Sequence, residues 1–170
     1  LFNSEELALL LEWNDPRKNI APIPDSLQLQ FPLPLEARKE LPHFLEGDSG
    51  RPALLWKWDA RSETLSALRA SGPAGSKKPL PSADLSSSAS YGYGRWRLLI
   101  KRKLDPGFPL DRPIPVSFSV WDGDPGEREE EGLKRALSGW NALVLLSSPE
   151  SAAPPLPWAK AVQPEPPRFF

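Results

Sequence analysis

The sequence predicts an all-β fold: an antiparallel β-sandwich with one short helix and long loops rich in proline, serine and glycine. Three observations carry that expectation. Apolar residues recur at every second position in several runs, which is the period of a half-buried strand. Proline and glycine, 22 and 11 residues of the 170, punctuate those runs. No long stretch repeats its apolar residues at helical spacing.

Six runs read as strands in chain order. "ELALLLEW" ends at an Asn-Asp-Pro turn. "DSLQLQF" alternates Leu27, Leu29 and Phe31 with polar residues. "PALLWKWD" sets Leu54, Trp56 and Trp58 on one face. "RWRLLIKRKL" opposes Trp96, Leu98 and Ile100 to Arg95, Arg97 and Lys101. "VSFSVWDG" alternates Val116, Phe118 and Val120 with serines, and "WNALVLL" is an apolar closing strand. Several short strands joined by turns suit a two-sheet sandwich. "SETLSALRAS" reads as the short helix. Residues 72–94, "GPAGSKKPLPSADLSSSASYGYG", read as one long mobile or partner-bound loop. The expected division is a sandwich over 1–146 and a Pro-rich extended tail over 147–170, "SSPESAAPPLPWAKAVQPEPPRFF". The aromatic residues of that tail are expected to anchor it on a partner.

Composition narrows the function. The net charge is -1, with Lys and Arg 21 against Asp and Glu 22, so no nucleic-acid surface is indicated. No apolar run has the length of a membrane span. The absence of cysteine excludes disulfides, thiolate zinc sites, iron–sulfur ligation and covalent c-type haem. The many loop prolines suit a thermophile or a GC-rich genome. The chain starts at Leu1, which reads as a processed or excised terminus.

Enzyme signatures are missing: no G-x-S-x-G, no P-loop and no G-x-G-x-x-G. The carboxylates of "GEREEEG" permit an acid–base role, but a charged solvated loop is the plainer reading. His43, the single histidine, lies in the Pro- and Gly-bounded loop "PHFLEGDSGRP". Lys134 lies among glutamates in an insert too long for an ordinary hairpin turn. By default, both are ordinary surface residues. The seven tryptophans suit core packing, or the binding of sugars or bases.

Taken together, five stretches resemble a known family. They are "LALLLEWNDPRKN", "PDSLQLQFP", "PHFLEGDSGRPALLWKW", "GRWRLLIKRKL" and "PIPVSFSVWDGDPGEREEEGLKRALSGWNALVL", spread over about residues 7 to 146. They are similar, in order, to motifs of the haem-b-binding gamma subunits of periplasmic molybdenum enzymes of the DMSO reductase family. That group includes ethylbenzene dehydrogenase, dimethylsulfide dehydrogenase, and chlorate and selenate reductases. The family's opening strands have no counterpart ahead of the first match. The resemblance implies a non-catalytic, periplasmic electron-transfer subunit. It would relay electrons between a molybdopterin-containing catalytic subunit with its iron–sulfur subunit and a c-type cytochrome.

In the family, a methionine and a lysine hold the haem iron from opposite sides. Lys134 falls on the lysine, and the methionine position, just before Gly47, is Glu46. A ligating lysine must be neutral, so burial has to lower its pKa. Carboxylate is a hard donor, poorer than a thioether for ferrous haem. His43 stands three residues earlier and offers an imidazole, a common haem ligand. The resemblance therefore implies either a His43/Lys134 clamp on haem b or a haem-free docking domain that lost the axial methionine. A carbohydrate-binding module, which uses related sandwiches, is the remaining alternative.

Overall fold

A computed structural model describes residues 1–3, 5–35, 40–105, 108–109, 111–123 and 135–146, except the side chain of Arg135. Lys134 and the tail 147–170 lie outside the described residues.

Ten strands are described: β1 Glu6–Asn14, β2 Ser26–Pro32, β3 Ala53–Asp59, β4 Leu65–Ala70, β5 Lys77–Leu80, β6 Leu85–Gly92, β7 Arg95–Lys103, β8 Ile114–Trp121, β9 Arg135–Leu137 and β10 Asn141–Leu143. Every pairing among them is antiparallel. One sheet has the order β1-β7-β6. The other runs β10-β8-β2-β3-β4-β5, with β9 also on β8. The fold class is the expected all-β sandwich.

Two local expectations fail. "SETLSALRAS" contains β4 instead of a helix, in register with β3 so that Trp58 faces Leu65 and Trp56 faces Ala67. Its helix-forming residues are overridden by the open edge of β3, which supplies both backbone partners and apolar neighbours. Asp59 sets the turn ahead of it, accepting the N–H groups of Arg61 at 3.0 Å and Ser62 at 2.9 Å. Residues 72–94 likewise hold β5 and the whole of β6 in place of one long loop. In β6, Leu85, Ser87, Ala89 and Tyr91 turn inward while the residues between them face water. Small side chains suffice there because the indoles of β3 and β7 fill the space. The β6–β7 turn has positive φ at both central residues, Tyr93 (54°) and Gly94 (68°), which suits a right-twisted two-residue hairpin.

The core lies between the sheets. Leu27, Leu29 and Phe31 of β2 meet Leu54, Trp56 and Trp58 of β3, with Trp96, Leu98 and Ile100 of β7 opposite. Trp58 meets Trp96 edge-on, with ring centroids 5.1 Å apart. Three of the tryptophans are thus structural.

The closing segment is two short pieces on the outer edge of β8. Leu137 pairs with Ser119, but Asn141 pairs with Val116, so one extra residue is accommodated between them. That is a β-bulge at Ser138–Trp140. Ser138 fills the gap: its Oγ accepts the N–H of Phe118 at 2.9 Å and its own N–H donates to Phe118 O at 2.9 Å.

Candidate functional site

The outward face of β2 is polar, yet it is buried. Gln28 and Gln30, 2 % and 1 % exposed, are joined by Ser117 and Ser119 of β8. Loop 40–52 helps cover this face, and the loop contains both His43 and Glu46. The two side-chain ends of Gln30 hold it: Nε2 donates to His43 O at 2.9 Å and Oε1 accepts the N–H of Glu46 at 2.7 Å. Trp140 adds a third tie, donating from Nε1 to Pro42 O at 2.9 Å. The bulge described above aims that indole at the loop.

The loop turns sharply at Glu46 and Gly47, both with positive φ, 62° and 78°. A Cβ at position 47 would stand 2.9 Å from Ala53 N and from Arg51 O, so only glycine fits. Glu46 is 5 % exposed. Its Oε2 lies 2.8 Å from Lys77 Nζ on β5, and its carbonyl accepts the N–H of Gly72 at 2.8 Å. Beside it opens a pocket of about 310 Å³, lined by Ser26, Gln28, Glu46, Lys57, Lys77 and Trp121 among others. Two buried polar atoms on this face, Gln28 Nε2 and Ser117 Oγ, have no hydrogen-bond partner in the fold.

The sequence-derived site residues separate. Glu46 is among the residues lining the pocket. His43 does not line it. Its side chain is exposed, stacks on Phe44 at 4.7 Å and accepts the Leu45 N–H on Nδ1 at 3.2 Å. Lys134 lies outside the described residues. Lys77 and Gln28 were not expected as site residues. Lys77 fell in a segment that composition marks as loop, and Gln28 in a strand whose polar face gives no sign of burial.

A second cluster forms just ahead of β2. Asp15 of "WNDP", Asp25 of "PDS" and Asp122 of "WDG" bring carboxylate oxygens within 4.8 Å of one another. Asp25 is enclosed by donors: Asn19 N at 2.8 Å, Trp96 Nε1 at 3.0 Å and Gly123 N at 3.0 Å. Gly123 is required, since a Cβ there would lie 2.2 Å from Ile23 O. Burial raises the carboxyl pKa of Asp15 to about 6. The Arg17 N–H opposes the rise, and the charges of Asp25 and Asp122 add to it. These bonds tie the β1–β2 connection to β7 and to the segment after β8, which gives the motif residues a structural role.

No family model matches the chain. Two curated proteins are similar to it. Chlorate reductase subunit gamma of Ideonella dechloratans is 32 % identical over 100 residues, covering 55 % of this chain and 40 % of that protein. Dimethylsulfide dehydrogenase subunit gamma of Rhodovulum sulfidophilum is 25 % identical over 167 residues, covering 89 % of this chain and 60 % of that protein. The chain thus spans 40 % and 60 % of the lengths of these relatives. The resemblance read from the five motifs therefore holds as a weak homology to gamma subunits. Among the described residues no helix is long and apolar enough to cross a membrane.

Proposed function

We propose that this chain is a non-catalytic gamma-type subunit or domain serving electron transfer in a molybdenum and iron–sulfur oxidoreductase outside the cytoplasm. The supporting observation is the alignment with a dimethylsulfide dehydrogenase gamma subunit along 89 % of the chain. Among the described residues, the clustered carboxylates of Asp15, Asp25 and Asp122 are engaged by hydrogen bonds within the fold.

The finer form of the proposal is a relay through haem b to a c-type cytochrome. Pocket chemistry bears on it from two sides. The unpartnered Gln28 Nε2 and the aromatic wall at Trp121 suit a bound polar, planar group. The described iron donors do not suit one. Glu46 is a hard carboxylate already paired with Lys77, and His43 lies off the pocket lining. The second form, a haem-free docking domain, is favoured by that ion pair at the methionine's place. Carbohydrate binding finds less support, because no tryptophan is among the exposed large hydrophobic side chains described.

Affinity purification of the full chain from its native host tests the proposal. Molybdenum, a pterin cofactor and iron–sulfur clusters should co-purify in fixed stoichiometry. The visible spectrum of the complex then separates the two forms. Sharp reduced α and β bands of a b-type haem assigned to this chain support the relay, and their absence supports docking. A protein that emerges alone and is retained on polysaccharide rejects both.

A further inference from the structure

At the one position where the resembled family places a soft iron ligand, this chain has a buried carboxylate. The surroundings of Glu46 show what that residue is used for. Its N–H goes to Gln30 on β2, its carbonyl to Gly72 beyond β4, and its carboxylate to Lys77 on β5. One residue with a left-handed backbone thus joins a loop to two regions of the same sheet. The carboxylate is 7 % exposed and the lysine 42 %, so the partners are unequally buried. Extracting the carboxylate toward an iron would strand Lys77 harmlessly in water, but it would also break the tie between loop and β5. Leaving the carboxylate in place without Lys77 would bury an uncompensated charge.

We propose that Glu46 is an ion-paired strut that fastens loop 40–52 to the edge strand β5, and that it is not an axial donor to haem iron. The proposal rests on the gamma-subunit reading for its expectation of an iron ligand here. It survives or falls separately from that reading, because a haem held through other residues leaves the strut intact.

The experiment uses the full chain as wild type, Glu46→Gln, Lys77→Ala and the double variant, each melted alone and titrated with hemin. Lys77→Ala should lower Tm by roughly 4–8 °C, since it strands a buried carboxylate. Glu46→Gln should cost less, because the amide keeps the shape and the exposed lysine returns to water. Adding Glu46→Gln to Lys77→Ala should recover part of the loss, which is the signature of a coupled pair. The hemin-titrated visible spectra should be the same for all four proteins, whether or not haem binds. Additive Tm losses would remove the strut. A low-spin spectrum lost in Glu46→Gln, or one that appears in Lys77→Ala and vanishes in the double variant, would show the carboxylate on the iron and overturn the proposal.

Discussion

The two faces of β2 are both buried, and they are built from opposite materials. Inward, Leu27, Leu29 and Phe31 pack against indole rings. Outward, Ser26, Gln28 and Gln30 are 8 % exposed or less but lie beneath a loop and beside a pocket. Carbon burial is non-directional and tolerates any partner of suitable shape. Amide burial is directional, and each group left without a partner costs free energy. The inner face therefore stabilises the sandwich, whereas the outer face specifies where one loop sits and leaves donors over for something else.

The sharpest break in the comparison comes from the inner face. Trp58 is fully buried between Trp13 and Trp96. Trp58→Ala should cost about 3–5 kcal/mol, because it empties an indole-sized volume that the two sheets cannot close. Chemical denaturation of the full chain measures it. A loss below about 1 kcal/mol would mean that the two sheets are not packed around this ring.

Gln30 tests the outer face. Gln30→Leu keeps the volume and removes both amide bonds to the loop. The expected loss is about 1–3 kcal/mol, since His43 O keeps only its bond from Gly47 and the Glu46 N–H loses its side-chain acceptor. Hydrogen exchange should quicken at the Glu46 amide and stay slow at Leu29. Equal quickening at both would show that the two faces act as one unit.

How much of this the sequence shows follows from the same contrast. β2, β3, β7 and β8 alternate large apolar and polar residues, and these strands were legible. β4 was not: Leu65 and Leu68 stand at helical spacing among helix formers, and only the register with β3 decides for a strand. β6 hides because Ser87 and Ala89 fill inward positions without looking hydrophobic. Glu46, which lines the pocket, was singled out by its place in a motif. Its partner Lys77 was not, since no local pattern reports an ion pair closed by a distant edge strand. The three aspartates each sat in a quoted motif, but their convergence depends on strand pairing. Burial of Gln28 and Gln30 was illegible for the same reason: polar alternation looks alike under water and under a loop.

Asp15 gives a smaller effect with a definite sign. Its carboxyl pKa is about 6 in the fold against an ordinary 3.8. The fold therefore favours the protonated form. The stabilisation is complete below about pH 4 and is lost as pH rises through about 6. Asp15→Asn stays neutral and keeps an acceptor for the Arg17 N–H. It should raise stability by about 1–3 kcal/mol at pH 7, change little at pH 4, and flatten the fall between them. An unchanged pH profile would assign that fall to other groups.

Gln28 should show the smallest effect on stability, and it bears on what the outer face is for. Its Nε2 is buried, lines the pocket wall and makes no hydrogen bond within the fold. Replacing the amide by a hydrocarbon of similar size removes a desolvated donor without breaking a bond to that atom. Gln28→Leu should therefore change unfolding free energy by less than about 1 kcal/mol, with a gain as acceptable as a loss. The neighbouring Gln30→Leu, one turn of the pleat away on the same face, should cost more although both amides are equally hidden. That inequality separates an amide serving the loop from one facing the pocket. If Gln28→Leu instead costs as much as Gln30→Leu, its amide is part of the fold's own network, and the pocket has no unused donor at its floor.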